Sequence, residues 1–179
     1  MAETPTSSLA KSYDYLRHAL AASSTWQAWT NSDDEDEALS RIYYRAVPEN
    51  LLPGDWTADQ LAALRPFALI ILDPNEGYLR RVSAVGSAFE FDEAASMVLH
   101  VAENYPSRLD AADAEIWFLN KIGGVLDDLC GGIAGDSTST GRLAISSVRM
   151  PLGPERTAEE DLQQFGDAFM VDLLIGWSN

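Results

Sequence analysis

FMVDLLIGW, residues 169–177, alternates with period two: Phe169, Val171, Leu173, Ile175 and Trp177 share one face, while Met170, Asp172, Leu174 and Gly176 occupy the other. Period two over nine residues is hard to produce in a helix, so this stretch is a strand. The next alternation upstream is Leu143–Met150, with Leu143 and Ile145 on one face and Ser146 and Val148 on the other, a second strand. Between them, Pro151–Asp167 holds two prolines, two glycines and many charges. It reads as a loop in which Ala158–Gln164 has the composition for a short helix. Two strands joined by a long loop fit an antiparallel pair, because a parallel pair would need a crossover.

Ahead of that pair the spacing of Ile116, Leu119, Ile122, Leu126, Leu129 and Ile133 places six apolar residues on one helical stripe. Asp113 is the expected N-cap, since its carboxylate can accept from a free first-turn N–H. Gly131, Gly132 and Gly135 supply the stop, followed by a turn-rich run over Asp136–Gly141. Gly123 and Gly124 sit inside the pattern at a cost of about 1 kcal/mol each against alanine. That cost points to close backbone approach by the sheet, with a hinge as the alternative.

Earlier in the chain, Met1–Thr6 reads as a loose end, and Ser7 or Ser8 caps a helix running to about Ala22 with Leu9, Tyr13, Leu16 and Leu20 as its stripe. Trp26 and Trp29, three apart, carry two readings: packing onto the domain, or docking a partner subunit, where tryptophan is favoured. Asp33, Asp34, Glu35, Asp36 and Glu37 form an unbroken acidic run. It reads as a solvated loop forming a surface patch, or as a helix start favoured by the helix dipole, and it lacks the ligand spacing of a calcium loop. Arg41–Val47 fits helix and strand equally. Val47–Pro66 has three prolines and reads as a connection with a short helical turn over Asp59–Leu64. Phe67–Leu72 is a continuous apolar run suited to a strand buried on both faces. Asp73–Gly77 makes a turn, Leu79–Val85 is a weaker strand interrupted by Gly86, and Phe89–Asp92 with Ser96–Glu103 form one long bulged strand or two.

The expected fold is therefore α+β: a mostly antiparallel sheet of four or five strands, with the long helix and the N-terminal helix packed against it. At 179 residues the chain is one domain. Residues 1–66 form an N-terminal helix and an acidic, proline-containing connection, packed on the α+β core of 67–179.

Twenty-eight acids against 12 bases give a formal charge of −16. A nucleic-acid-binding face needs clustered Lys and Arg, and a surface of one sign repels DNA. Sequence-specific nucleic-acid binding and anionic membrane surfaces are both disfavoured. The single cysteine, Cys130, excludes an internal disulfide and a multi-cysteine metal site, and its place near the apolar stripe predicts a buried thiol. No basic segment followed by an apolar run opens the chain, so no signal peptide is expected, and no apolar stretch reaches the ~18 residues of a membrane span. A chain made and kept in the cytoplasm is the expectation.

Catalytic chemistry finds little support. The histidines are His18, on the first helix, and His100, in a strand. There is no G-x-S-x-G elbow, H-E-x-x-H or phosphate-binding glycine loop. Adjacent Asp127 and Asp128 point about 100° apart on a helix. Glu90, Asp92 and Glu93 come closest to a carboxylate cluster, with Glu90 and Asp92 on one strand face, but no third ligand type is near. The expectation is a non-enzyme without metal or cofactor.

The strand-rich middle, the helix carrying WFLNKIGGVLDDL (117–129) and the return LAISSVRMPLGPERTAEEDLQQFGDAFMVDLLIGW (143–177) together resemble the tail terminator, or tail-completion, proteins of long-tailed phages. The resemblance covers Phe67–Trp177, and the region 23–66 is longer than that family's minimum. It implies a sheet flanked by helices that ends in a two-stranded return joined by a long loop. It also implies a function without catalysis, in which a hexameric ring closes on the last layer of the tail tube, stops its growth and meets the head–tail connector. The partners so implied are further copies of the chain, the tail tube protein and the connector protein, and the location is the virion tail or neck. The loop Leu152–Gly166, with Pro154, Glu155 and Arg156, is the candidate subunit contact; its deletion is expected to leave a folded monomer. The acidic run is the candidate lining of a channel through which DNA slides without sticking. The alternatives are a cytoplasmic binding module for a protein or small molecule, and another phage neck or tail-tube subunit.

Overall fold

The structure is a computed structural model that describes residues 8–47, 57–75, 78–85, 88–130, 144–157 and 166–178. Several expected features lie outside those residues: the loose end and Ser7, Gly77, Gly86, the stop formed by Gly131, Gly132 and Gly135, Ile133, the turn-rich run Asp136–Gly141, and the short helix over Ala158–Gln164.

The helices are α1 (Ser8–Ala22), α2 (Ser24–Thr30), α3 (Glu35–Leu39), α4 (Ala58–Leu64) and α5 (Ala111–Asp128), and the strands are β1 (Ile42–Tyr44), β2 (Phe67–Leu72), β3 (Tyr78–Val85), β4 (Ala88–Asn104), β5 (Ala144–Arg149), β6 (Glu155–Arg156) and β7 (Ala168–Ser178). They form one seven-stranded sheet along the path β1-β2-β4-β7-β5, with β3 pairing β4 and β6 pairing β7 off that path. All pairs are antiparallel except β1–β2. The parallel pair is joined by a connection containing α4, as a crossover requires. The fold is thus α+β and mostly antiparallel: the five expected strands are β2, β3, β4, β5 and β7, and the short β1 and β6 are additions.

β4 is one continuous 17-residue strand. Met97–Ala102 pairs with β2, and Ala94–Asn104 pairs with β7 on the other side. Ala88–Glu93 pairs with β3 alone, so a two-stranded ribbon extends past the main sheet among the described residues. The expected strand pair at the C-terminal end is β5–β7, whose register shifts between Ile145 and Ser147. That shift reverses the alternation expected for β5 and sets Val148 opposite buried Ile175, packed on the core.

Alternation along β2, β4 and β7 assigns the two faces. Ile70, Met97, Leu99, Val101, Val171, Leu173 and Ile175 are buried and join one core with Leu16 and Leu20 of α1, Trp26 of α2, and Phe118, Ile122 and Val125 of α5. Residues from both halves of the chain share this core, so the N-terminal segment is built into it. The opposite face carries Leu69, Val98, His100, Met170 and Asp172 in register. β2, expected to be buried on both faces, is half-buried at Leu69 and Ile71.

Helix α5 begins differently from the expectation. Its N-cap is Asp110, whose carboxylate accepts from the Asp113 amide at 2.9 Å, and Asp113 lies in the first turn. Its buried stripe is Ala114, Phe118, Ile122, Val125 and Leu129. Ile116 is 57% exposed, and Leu119 and Leu126 are half-buried. Cys130 is exposed, not buried, because Leu129 takes the inward position and the next residue turns away.

The helical glycines separate cleanly. A Cβ on Gly123 meets nothing within 4 Å, whereas one on Gly124 would lie 2.7 Å from Thr25 Cγ2 and 2.9 Å from Thr25 Oγ1. The close approach is therefore by α2, not by the sheet. Gly123→Ala is expected to raise stability by about 0.5–1 kcal/mol through helix propensity. Gly124→Ala is expected to lower it by about 1 kcal/mol net, since overpacking costs more than the propensity gain. Urea midpoints for the two variants should move in opposite directions.

The acidic run is resolved in favour of a helix start. Asp34 caps α3 by accepting from the Glu37 amide, and Glu35, Asp36 and Glu37 occupy the first turn, where the dipole favours them. Helix α4 carries a full capping box between Thr57 and Gln60.

Candidate interaction surface

Helices α2 and α5 cross where Gly124 admits Thr25, and next to that crossing they frame an open groove of about 530 Å³. Ala28 and Trp29 supply its wall from α2; Trp117, Asn120 and Lys121 supply it from α5. The placement of α2 follows from its N-terminus. Ser23 caps it by accepting from the Trp26 amide at 3.1 Å, and in turn donates to Asp128 Oδ2 at 2.6 Å. The Thr25 amide donates to the same oxygen at 3.0 Å. Asp128, at the end of α5, therefore satisfies an unpaired first-turn donor of α2 from another helix. Asp127, its neighbour, is exposed.

These bonds, from Ser23 first and then Thr25, hold the Asp128 carboxyl below the usual carboxylate range. A depressed folded-state value contributes stability above the ordinary carboxylate pKa and loses it as the pH falls through the folded value. Asp128→Ala is expected to cost about 1 kcal/mol near neutrality, as loss of a cap does. The gap to the wild type should narrow below about pH 4. Urea unfolding at pH 7 and pH 3 checks this; a gap independent of pH contradicts it.

Lys121, in the groove wall, pairs with an acid that lies behind the wall. Glu103, on the helix-facing side of β4, is 7% exposed. It accepts from Trp29 Nε1 at 2.5 Å, from Lys121 Nζ at 3.2 Å and from the Asn104 amide at 2.7 Å. The Lys121 ammonium also lies 4.2 Å from the Trp117 ring centroid and 4.9 Å from that of Trp29, within cation–π range. Burial depresses the Lys121 pKa, and Glu103 opposes that shift. Trp117, Lys121 and Glu103 are not among the candidate site residues that the sequence suggests. Trp117 and Lys121 stand four apart on the helix, the one local signal; Glu103 comes from a strand and has none.

Of the two readings of Trp26 and Trp29, packing onto the domain holds over docking a partner: they are core residues at 0% and 7% exposure. They meet edge to face at 5.6 Å, and Trp29 meets Phe118 the same way. Their packing explains the sequence signal, and of the two only Trp29 reaches the groove wall.

The other face offers a different surface. Pro151, Leu152 and Gly153 bridge β5 and β6 and, with Met170, His100 and Asp172, line a smaller cavity of about 150 Å³. His100 Nδ1 lies 2.7 Å from Asp172 Oδ1. Leu152 is 68% exposed and Met150 is 37% exposed. Of the candidate contact residues, Pro154 is half-buried and Glu155 exposed. Arg156 is committed within the chain: its guanidinium donates twice to Asp167, at 2.7 and 2.5 Å, and lies over the Tyr105 ring. The Asp167 bonds raise its pKa. Glu155 and Arg156 form β6 against β7, so the expected loop contains a short strand.

Asp33, Asp34, Glu35, Asp36 and Glu37 are all exposed, with His18 Nδ1 3.0 Å from Glu35 Oε1. Among the described residues no three His, Cys, Asp or Glu side chains are placed to hold a metal ion, and no helix is long and apolar enough to cross a membrane. Glu90, Asp92 and Glu93 stand on the β3–β4 ribbon opposite Ser83, Arg81 and Arg80 in register. No family model matches the chain, and no curated protein matches it significantly.

Proposed function

We propose that this chain is a structural ring protein of the tail-terminator kind. Copies close into a hexameric ring on the last layer of a phage tail tube, end its polymerisation and present a surface to the head–tail connector. The observation that supports this reading is the order and pairing of the elements. A long antiparallel hairpin, β3–β4, leads into α5, and β5 and β7 then return as an antiparallel pair joined by a long segment. The two-stranded return joined by a long segment is the part that the resemblance implies. The exposed acidic start of α3, in a chain of formal charge −16, suits a passage through which DNA slides; a ring with a basic lumen would count against that part.

The chain has no catalytic role in this reading, and its place is the virion tail or neck after synthesis in the bacterial cytoplasm. Light scattering across a concentration series tests it. A species near six times 19.6 kDa, or one formed only with tail tubes, is the expected result. A strict monomer with and without tubes favours the alternative, a binding module that uses the α2–α5 groove for a protein or small-molecule partner. Co-purification with tubes separates a terminator from another neck or tube subunit.

A further inference from the structure

We infer that the α2–α5 groove is the socket for a second copy of this chain, and that its occupant is the Leu152 projection between β5 and β6. The inference rests on the ring reading and names the two surfaces that meet.

The socket presents Trp117, Trp29 and Ala28 as apolar wall, with Ile116 exposed one residue from Trp117 on the same helix. No acid is among the described residues that line it, and its one charged lining residue is Lys121, whose ammonium pairs with Glu103 behind the wall at 3.2 Å, in a chain where acids outnumber bases 28 to 12. An acidic copy therefore meets no carboxylate among the described lining residues here. The projection has the complementary character: Leu152 is the most exposed large apolar side chain among the described residues, and Glu155, also exposed, follows it. Leucine against the tryptophan wall removes apolar area from water on both sides, and the Glu155 carboxylate approaches the Lys121 side of the groove.

The two surfaces lie on opposite sides of the subunit. The socket is in the helix layer, whereas the projection borders His100, Met170 and Asp172 on the sheet face turned away from that layer. A contact between two different patches is heterologous, so it repeats head to tail and closes into a ring when the rotation permits.

The test uses the full chain with Cys130→Ser, which removes the exposed native thiol. Asn120→Cys and Leu152→Cys are made separately; both positions are exposed, so neither substitution should impair folding. With a short bis-maleimide, co-expressed Asn120→Cys and Leu152→Cys chains are expected to give crosslinked dimers, and each variant alone should give none. A chain carrying both substitutions should give a ladder. Leu152→Asp, folded by circular dichroism, should weaken assembly at least tenfold in light scattering. No crosslink in the mixture, or equal crosslinking by either variant alone, overturns the pairing. If the wild type still forms a ring in that case, the ring reading stands and only this contact fails. If the wild type is monomeric with and without tubes and no crosslink forms, both fail.

Discussion

Glu103→Ala is expected to lower the unfolding free energy by about 3 kcal/mol, the low end of the cost of stripping one partner from a buried ion pair. The Glu103 side chain is 9% exposed and that of Lys121 25%, so water relieves part of the stranded ammonium and the upper end of that range is not reached. Three donors lose their acceptor together: the Lys121 ammonium, the Trp29 indole N–H and the Asn104 amide. Glu103→Gln keeps an acceptor but not the charge, and should fall between the alanine variant and the wild type. The decisive comparison is Glu103→Leu with Lys121→Met. Removing both charges with matched volume should recover only part of the loss, because the desolvation cost leaves with the pair while the Trp29 indole N–H and the Asn104 amide still lack their acceptor. Urea unfolding of the four proteins measures this. A double variant as unstable as Glu103→Ala would show that the stranded Trp29 and Asn104 N–H groups, not an uncompensated charge, set the cost.

How much of this was legible in sequence depends on how local each cause is. The β7 alternation and the α1 stripe are local, and both stand in the structure with Leu16 and Leu20 buried and Val171, Leu173 and Ile175 inside. β1 has three residues and exists because β2 offers it a parallel partner, so Arg41–Val47 fitted helix and strand equally. β6 has two residues and is held by β7 and by the Arg156–Asp167 pair; nothing in a proline-flanked loop announces it. The groove was invisible for the same reason. Lys121 and Glu103 are 18 residues apart on different element types, and only packing α5 on the sheet brings them together. The two tryptophans drew attention by residue type, but residue type does not separate an interface anchor from a core anchor; burial does.

The phase of α5 is where local pattern and tertiary packing disagree most, and one pair of variants measures the disagreement. Ile116, Trp117, Phe118 and Leu119 are consecutive apolar residues, so a stripe through Ile116 satisfies helical spacing as well as one through Phe118. The structure chooses Phe118, fully buried, stacked on Phe169 at 5.0 Å and edge-on to Trp29 at 5.6 Å. Phe118→Ala is therefore expected to cost about 3–5 kcal/mol, since it removes the ring and leaves a cavity that sheet and helix cannot both close. Ile116→Ala should stay within about 0.5 kcal/mol of wild type, because a side chain already 57% exposed loses little on truncation. Equilibrium urea unfolding reads both. If Ile116→Ala were the costly change and Phe118→Ala the mild one, α5 would be rotated by most of a half-turn. Trp117 and Lys121 would then leave the groove, and the socket inferred for a second copy would go with them.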